Sequence, residues 1–231
     1  MNLMINQTLN AIIVLFVLCN SIFAQRTDSI RSATWHKITS TFPYVPTLLV
    51  AGGIAVNGNG EEGIKKEIAE ELHEQLPTFN THLDNYLQYS PIAIAYGLDA
   101  FGYKSETDIS NRTAILLKGE LFMIVTVFST KQLTHQLRPD NSGHNSFPSG
   151  HTAQAFAAAT FLSEEYKDQF KWIPYLAYGT ASSVGLLRMA KNKHYISDVL
   201  VGAGLGILSM KISYLTHQYK WGKKHRTAPL F

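Results

Sequence analysis

Six apolar segments between residues 44 and 214 constrain the fold of this chain more than any other feature of its sequence. Gly, Ala and Leu dominate these segments, and none of them alternates apolar with polar residues as a half-buried strand does. The segments comprise residues 44–56, 91–101, 114–130, 152–162, 173–187 and 199–214. This pattern predicts an all-α fold, a bundle of packed helices.

The lengths of the segments leave a membrane bundle and a soluble bundle both open. Several segments are shorter than the roughly 20 residues that span a bilayer, although flanking Tyr, Trp and Lys side chains could extend them by snorkelling. The mean hydropathy of −0.03 is high for a soluble enzyme and low for a chain made almost wholly of membrane spans. Lys118, Glu120 and Asp99 lie within apolar segments and would face the bundle interior or water if those helices cross a membrane.

Composition excludes several classes of protein. The chain has 231 residues, of which 45% are hydrophobic and 16% charged, so it can bury a sizeable core as one or two domains and is not disordered. Its net charge of +3 is too small and too diffuse for a dedicated nucleic-acid-binding protein. The single cysteine, Cys19, excludes an intramolecular disulfide and a zinc site built from several cysteines.

The N-terminal residues resemble a secretory signal. The chain is apolar from Leu9 to Ala24, which predicts a signal peptide cleaved after Ala24, with an uncleaved first span as the alternative. Either way Gln25 lies outside the cytoplasm. We expect four parts: the signal at 1–24, an extracytoplasmic region at 25–89, a catalytic helical domain at 90–217 and a basic tail at 218–231.

An amphipathic helix is predicted within residues 60–77. Apolar side chains recur every fourth residue from Ile64 to Leu76 among charged ones, and Gly63 and Pro77 flank them. The helix could lie on a membrane or on the protein's own core. We favour the core, because the polar face is acidic whereas a face that binds anionic lipid is basic.

Three short motifs carry the chemistry of the chain. They are Lys131-x6-Arg138-Pro139, Pro148-Ser149-Gly150-His151 and Arg188-x5-His194-x3-Asp198. Each alone has an ordinary explanation: a cation that caps a helix C-terminus, a serine that caps a helix N-terminus, and a histidine–aspartate pair on a helix surface. Together, in this order and spacing, they resemble the type 2 phosphatidic acid phosphatase superfamily, which also includes glucose-6-phosphatase, bacterial class A acid phosphatases and vanadium haloperoxidases.

The residue types fit the binding of a phosphate. Lys131, Arg138 and Arg188 supply fixed positive charge, and the planar fork of arginine matches two phosphate oxygens. Ser149 and Gly150 open a helix whose free N–H groups would point at the same anion. We therefore predict that these five residues bind the phosphate.

The resemblance implies a role for each remaining motif residue. His194 is the expected nucleophile, which forms a phosphohistidine, and Asp198, four residues later on one helical face, orients it. His151 is the expected general acid and base. We expect no metal and no cofactor, because the cations supply the electrostatic stabilisation. The chain departs from the family pattern at Leu187, where a serine is usual, which affects the expected rate and substrate preference more than the reaction type.

Residues beside the motifs are given structural explanations. His135, His144 and Asp140 are expected to be ordinary loop or helix-end residues rather than substrate contacts. Gly202 and Gly206, four residues apart, are expected to serve close helix packing rather than dinucleotide binding, because no strand precedes them.

Charge asymmetry predicts the orientation of the bundle. If the last four apolar segments cross a membrane, the motifs lie on one side, and the basic tail with Lys167 and Lys171 lies on the other, cytoplasmic side. Only one of segments 44–56 and 91–101 can then span, and we choose 91–101 because it connects directly to the next helix. We predict a bacterial inner-membrane protein whose site faces the periplasm. A soluble periplasmic protein is the alternative.

The expected function is a metal-independent phosphatase that hydrolyses a membrane lipid phosphate or diphosphate. Polyprenyl (undecaprenyl) diphosphate, lipid A phosphate and phosphatidylglycerol phosphate are all compatible, because the motifs bind the phosphate that the three share. The alternatives are a soluble acid phosphatase of class A type, a vanadium-dependent haloperoxidase and a non-catalytic anion-binding protein. Expected partners are the phospholipid or isoprenoid phosphate substrate and the membrane, with no nucleic acid and no protein partner indicated.

Overall fold

The computed structural model of the chain describes residues 44–58 and 63–217, and within them it contains helices and no strand. The all-α prediction is confirmed over these residues. The helices are α1 (Tyr44–Asn57), α2 (Ile64–Gln75), α3 (Leu83–Leu87), α4 (Ser90–Ala100), α5 (Ile109–Thr134), α6 (Gly150–Tyr166), α7 (Ile173–Ala190) and α8 (Ile196–Leu215). The predicted signal at 1–24 and the basic tail at 218–231 lie outside the described residues.

Helix α6 is the centre of the bundle. It packs against α4, α5, α7 and α8. Its buried surface is rich in alanine, whose small side chain lets neighbouring helices approach closely: Ala153, Ala155, Ala157, Ala158 and Ala159 are all fully buried. The start of α6 therefore lies where several other helices and their loops meet.

Glycines in α8 determine how closely α6 and α8 approach. A Cβ atom added at Gly202 would lie 2.5 Å from the backbone oxygen of Ser149, and one added at Gly206 would lie 2.2 Å from that of Ala153. Both distances are far too short for real atoms, so the prediction that these two glycines serve close packing is confirmed. Gly204 allows α1 to approach α8 in the same way, because a Cβ atom added at Gly204 would lie 2.7 Å from the backbone oxygen of Pro46.

Two of the helices are long and apolar enough to cross a membrane, namely α5 and α8. Only 28% of the most apolar stretch of α5 is buried within the protein, against 61% for α8. Helix α4, which we expected to cross, has 11 residues and a length of about 16 Å, roughly half of the hydrocarbon thickness of a bilayer.

The residues before α4 cover the outside of the bundle near the start of α6. Helix α2, the predicted amphipathic helix, lies on α1, α7 and α8, and none of its residues is fully buried. Helix α3 was not predicted, and it packs against α4, α6 and α7. This short helix brings polar side chains to the same end of the bundle as the three motifs.

Candidate active site

The second motif forms the N-terminus of α6. Ser149 is the N-cap: its Oγ accepts a hydrogen bond from the backbone N–H of Thr152, and the two hydroxyl oxygens lie 2.8 Å apart. The backbone N–H of Ser149 donates to the backbone oxygen of Asp198 at 2.9 Å, which fixes the second motif against the third. Gly150 lies beside the first motif, because a Cβ atom added to it would be 3.9 Å from Cε of Lys131.

His194 and Asp198 form a buried pair at the start of α8. The His194 Nδ1 and Asp198 Oδ2 atoms are 3.3 Å apart, and the two side chains are 2% and 0% exposed. With Nδ1–H donated to the carboxylate, Nε2 carries the lone pair. The carboxylate therefore lies against the ring, as an orienting residue requires. The prediction that the two residues share a helical face is wrong, because His194 precedes Tyr195, the N-cap of α8.

The Asp198 carboxylate is fixed by other donors as well. The backbone N–H of Tyr195 donates to its Oδ2 at 3.0 Å, and the Ser146 hydroxyl donates to the same atom. Gln136 Nε2 donates to Oδ1 at 3.3 Å. Because the carboxylate is fully buried and bonded on both oxygens, it has little freedom to turn away from His194.

Lys131 and Arg138, the two cations of the first motif, are joined through Asn145. Lys131 Nζ donates to the Asn145 backbone oxygen at 2.5 Å, and Arg138 Nε donates to its side-chain oxygen at 2.9 Å. The loop that carries Arg138 is tied to the third motif by an ion pair between Asp140 and Lys193. Asp140, expected to be an ordinary loop residue, thus connects two of the motifs.

Arg188 is the third predicted phosphate-binding cation, and it is 6% exposed. Its Nη1 donates to Asp84 Oδ2 at 2.7 Å. Its Nε is buried and has no hydrogen-bond partner in the described part of the chain. A buried N–H group without a partner is costly, and an anion bound beside Arg188 would satisfy it.

Charged residues of one motif shift the pKa values of residues in another. Burial lowers the pKa of His194 to about 4, against the opposing effect of its hydrogen bond to Asp198, and the charges of Lys131 and Arg188 lower this pKa further. Burial also lowers the pKa of Arg138, followed by repulsion from Arg188. The ring of His194 is therefore neutral at pH 7, in the form that a nucleophile needs, and it lies in the field of Lys131 and Arg188, two of the predicted phosphate-binding cations.

Three further histidines, His151, His135 and His144, lie in or beside the three motifs. His151 Nε2 lies 2.9 Å from Oδ1 of Asn85 in α3. His135 and His144, expected to lie outside the site, line a pocket together with Lys131 and Arg138, two of the predicted phosphate-binding cations. The pocket is formed by Phe128, Lys131, Gln132, His135, Arg138 and residues 142–145.

Several residues of the site were missed in the sequence. Asn145 and Ser146 lie between the first two motifs, so their proximity to both was a usable signal. Asp84 and Asn85 lie far upstream, and nothing in one sequence connects them to Arg188 and His151. Among the described residues no group of three or more His, Cys, Asp or Glu is placed to hold a metal ion.

Comparisons with known proteins match part of this chain to a protein family. Residues 113–222 match the model of the PAP2 superfamily. Lipid A 1-phosphatase from Porphyromonas gingivalis is 36% identical to this chain over 143 residues, which cover 59% of this chain and 31% of that protein. Lipid phosphate phosphatase 1 from Arabidopsis thaliana is 34% identical over 100 residues, which cover 35% of this chain and 30% of that protein. The chain thus spans about a third of the length of these relatives.

Two solved structures are also similar. LpxE from Aquifex aeolicus shares 25% sequence identity with a TM-score of 0.48, over 63% of this chain and 93% of that one. A transmembrane PAP2-type phosphatidylglycerolphosphate phosphatase from Bacillus subtilis shares 21% identity with a TM-score of 0.42, over 74% and 94% of the two chains. The family model matches the stretch that carries the three motifs, and the predicted resemblance to the PAP2 superfamily is confirmed over residues 113–222.

Proposed function

We propose that the chain is a phosphatase that removes phosphate from a membrane lipid phosphate or diphosphate, with His194 as the nucleophile. The observation that carries the proposal is the neutral, buried His194, held by Asp198 and lying in the field of Lys131 and Arg188. A nucleophile held in a fixed orientation beside a cationic clamp is what phosphoryl transfer needs, since most of that catalysis is positioning and charge stabilisation.

In the first step the phosphate binds to Lys131, Arg138 and Arg188, and the unpartnered Arg188 Nε donates to one of its oxygens. The lone pair of His194 Nε2 then forms a bond to phosphorus as the bond from phosphorus to the lipid oxygen breaks. Burial and then the charge of Arg188 lower the pKa of His151 to about 4, so His151 takes up its proton together with the phosphate, whose negative charge raises that pKa, and gives it to the leaving oxygen. Asp198 stabilises the positive charge that develops on the His194 ring.

In the second step water replaces the histidine. His151, now neutral, takes a proton from the water molecule, whose oxygen forms a bond to phosphorus. The bond between phosphorus and Nε2 breaks, and inorganic phosphate leaves. His194 and His151 return to their starting states, so the cycle needs no other reactant than water.

The proposed substrate class is a lipid. Two relatives of the chain are a lipid A 1-phosphatase and a lipid phosphate phosphatase. Phe128 in α5 lies one turn from Lys131, lines the pocket beside Lys131 and Arg138, and is 61% exposed. An apolar side chain next to the phosphate-binding cations suits a substrate that joins a phosphate to acyl or prenyl chains.

The proposed location is a membrane, with the site at the outer, periplasmic surface. Large apolar side chains on α5 are exposed along its length: Leu117, Leu121, Ile124, Val125 and Phe128. A soluble protein rarely exposes so continuous an apolar face, whereas lipid would cover it. The positive-inside tendency of the basic residues 220–226 supports a cytoplasmic tail and, on the opposite side, an external site.

The test is release of phosphate from lipid A and from a polyprenyl diphosphate by the detergent-solubilised protein, with EDTA present. Wild type should release phosphate, and His194→Ala should lose on the order of 10⁴-fold or more of the rate. Binding of inorganic phosphate should largely survive this substitution, because Lys131, Arg138 and Arg188 remain. Residual turnover near the wild-type rate would contradict the assignment of His194.

The same assay separates the alternatives. Hydrolysis of a small soluble phosphate ester without hydrolysis of either lipid would indicate an acid phosphatase instead. Halide oxidation that requires added vanadate would indicate a haloperoxidase. Either result would show that the proposal of a lipid phosphatase is wrong. It would not contradict the prediction that Lys131, Arg138 and Arg188 bind a phosphate or vanadate ion.

A further inference from the structure

A carboxylate outside the family motifs reaches into the candidate active site. Asp84 lies in the short helix α3, 104 residues before Arg188, and its side chain is fully buried. Its Oδ2 accepts from Arg188 Nη1 at 2.7 Å. The matched family segment begins at residue 113, so neither α3 nor Asp84 belongs to it.

Asp84 is fixed on its other side by Lys191. Lys191 Nζ lies 3.0 Å from Oδ1 and 3.2 Å from Oδ2 of Asp84, and it also donates to the backbone oxygen of Thr81 at 2.5 Å. Burial raises the pKa of Asp84, but the hydrogen bonds from Arg188 and Lys191 outweigh burial and bring that pKa below its usual value. Asp84 is thus a charged group held in one place.

The contact occupies only part of the Arg188 guanidinium. Nη1 is bound to Asp84, whereas Nε is buried without a partner among the described residues. The bond from Nη1 to Asp84 leaves Nε for a second acceptor, so a phosphate that displaces the atoms covering Nε need not displace Asp84. Because Arg188 is fixed by a bond on one edge, the edge that carries Nε has a defined direction.

The neighbouring residue makes a parallel contact. Asn85 Oδ1 lies 2.9 Å from Nε2 of His151, the predicted general acid and base. Adjacent residues of one short helix therefore contact the second and the third motif.

We propose that Asp84 is a positioning residue: it holds Arg188 so that Nε points at the phosphate. The inference deepens the proposed function and rests on it. It assigns part of the active site to residues before the family segment.

The test compares Asp84→Asn with Asp99→Asn. Asp99 pairs with another buried arginine, Arg112, at 3.0 Å, and Arg112 lies against Tyr166 at the opposite end of α6, about 24 Å from its start. Three quantities are measured on the detergent-solubilised full chain: kcat and KM with a lipid phosphate, the dissociation constant of inorganic orthovanadate by calorimetry, and the thermal unfolding temperature.

The expected result is specific to Asp84. Asp84→Asn should weaken orthovanadate binding and lower kcat/KM, each by ~10-fold to 100-fold, since a misdirected binding group costs about this much. Asp99→Asn should leave the orthovanadate dissociation constant within about twofold of wild type, since distant sites act independently. Tighter orthovanadate binding in Asp84→Asn would show that Asp84 competes with the anion, and unchanged binding would show that it has no role there. Either result overturns the proposal.

A second variant covers the case in which Asp84→Asn does not fold. Asp84→Glu keeps the charge that balances Arg188 and Lys191 but moves the carboxylate by one methylene group. Positioning predicts weaker orthovanadate binding in this variant, by roughly threefold to tenfold. Wild-type affinity would show that the charge alone suffices and would overturn the proposal. Orthovanadate binding needs no turnover, so wild type that binds it without hydrolysing any lipid would refute the proposed function separately.

Discussion

Two buried arginines lie at opposite ends of the bundle, and each is paired with an aspartate. Arg188 near the start of α6 pairs with Asp84 at 2.7 Å, and Arg112 near its end pairs with Asp99 at 3.0 Å. Both also keep an Nε atom without a hydrogen-bond partner in the described parts of the chain. A buried ion pair and an unpartnered nitrogen are therefore not enough to mark a functional arginine.

The surroundings of the two arginines differ. Arg112 lies over the ring of Tyr96, with its Cζ 4.8 Å from the ring centroid, and near the hydroxyl of Tyr166. These are neutral or stacking partners, which suit a structural role. Arg188 instead adds to the positive charge around His194, together with Lys131. An excess of cations next to a nucleophile distinguishes the candidate active site from the other end.

The largest effect among the residues that orient His194 is expected for Asp198→Asn. This substitution removes the charge of the His194–Asp198 pair while nearly keeping its shape. The rate should fall on the order of 10³-fold, because the ring loses both its orientation and its compensating charge. Turnover of a lipid phosphate measures this effect. A fall of less than about tenfold would mean that Asp198 only caps α8.

The direct comparison of the two arginines gives the next largest effect. Arg188→Met should lower kcat/KM by ~10²-fold to 10³-fold and weaken orthovanadate binding, because one phosphate donor is lost. Arg112→Met should lower the thermal unfolding temperature but leave kcat/KM per folded molecule within about twofold. Equal losses of activity in both variants would contradict the assignment of Arg188 to the active site and of Arg112 to a structural role.

A smaller effect is expected for Asn85→Ala. The substitution removes the contact to His151 Nε2 but leaves the ring in place. We expect a fall in kcat of about tenfold with little change in KM, since general acid–base catalysis is worth more than this and only its alignment is disturbed. Gln88→Ala is the matched control, because Gln88 is a neighbour in sequence and its side chain donates to the backbone oxygen of Asn85.

The pH dependence gives the smallest and most specific effect. Because burial lowers the pKa of His194 to about 4, its Nε2 loses the lone pair only when the pH falls through about 4. The acid limb of kcat/KM should therefore lie near pH 4 rather than near the ordinary value of about 6.5. Asp198→Asn should move the limb to still lower pH, because the Asp198 bond raises this pKa. A limb near 6.5 that does not move would contradict the assignment to His194.

The helices of the bundle were largely predictable, because their apolar segments are long. The six segments lie in helices apart from Phe101, which follows the end of α4. Some helices extend beyond the apolar residues: α5 begins at Ile109 rather than at 114, since the Asp108 side chain caps a polar first turn. Helix α3 was missed because five residues cannot show a periodicity.

The motif residues of the site could be predicted from the sequence, whereas the residues that hydrogen-bond to them could not. The structure brings these motif residues together at one end of the bundle: Lys131, Arg138, Ser149, His194 and Asp198. Their supporting partners come from distant parts of the chain: Asn85 is 66 residues from His151, and Gln136 is 62 from Asp198. Such contacts depend on how the helices pack, which one sequence does not show.

The most direct test of the account is to trap the covalent intermediate. Wild type is mixed with a lipid phosphate labelled with ³²P, quenched in alkali within milliseconds, digested and mapped by mass spectrometry. If His194 is the nucleophile, an alkali-stable, acid-labile phosphate will form on His194 and will be absent from His194→Ala. Label on another residue, or full turnover by His194→Ala, would contradict it.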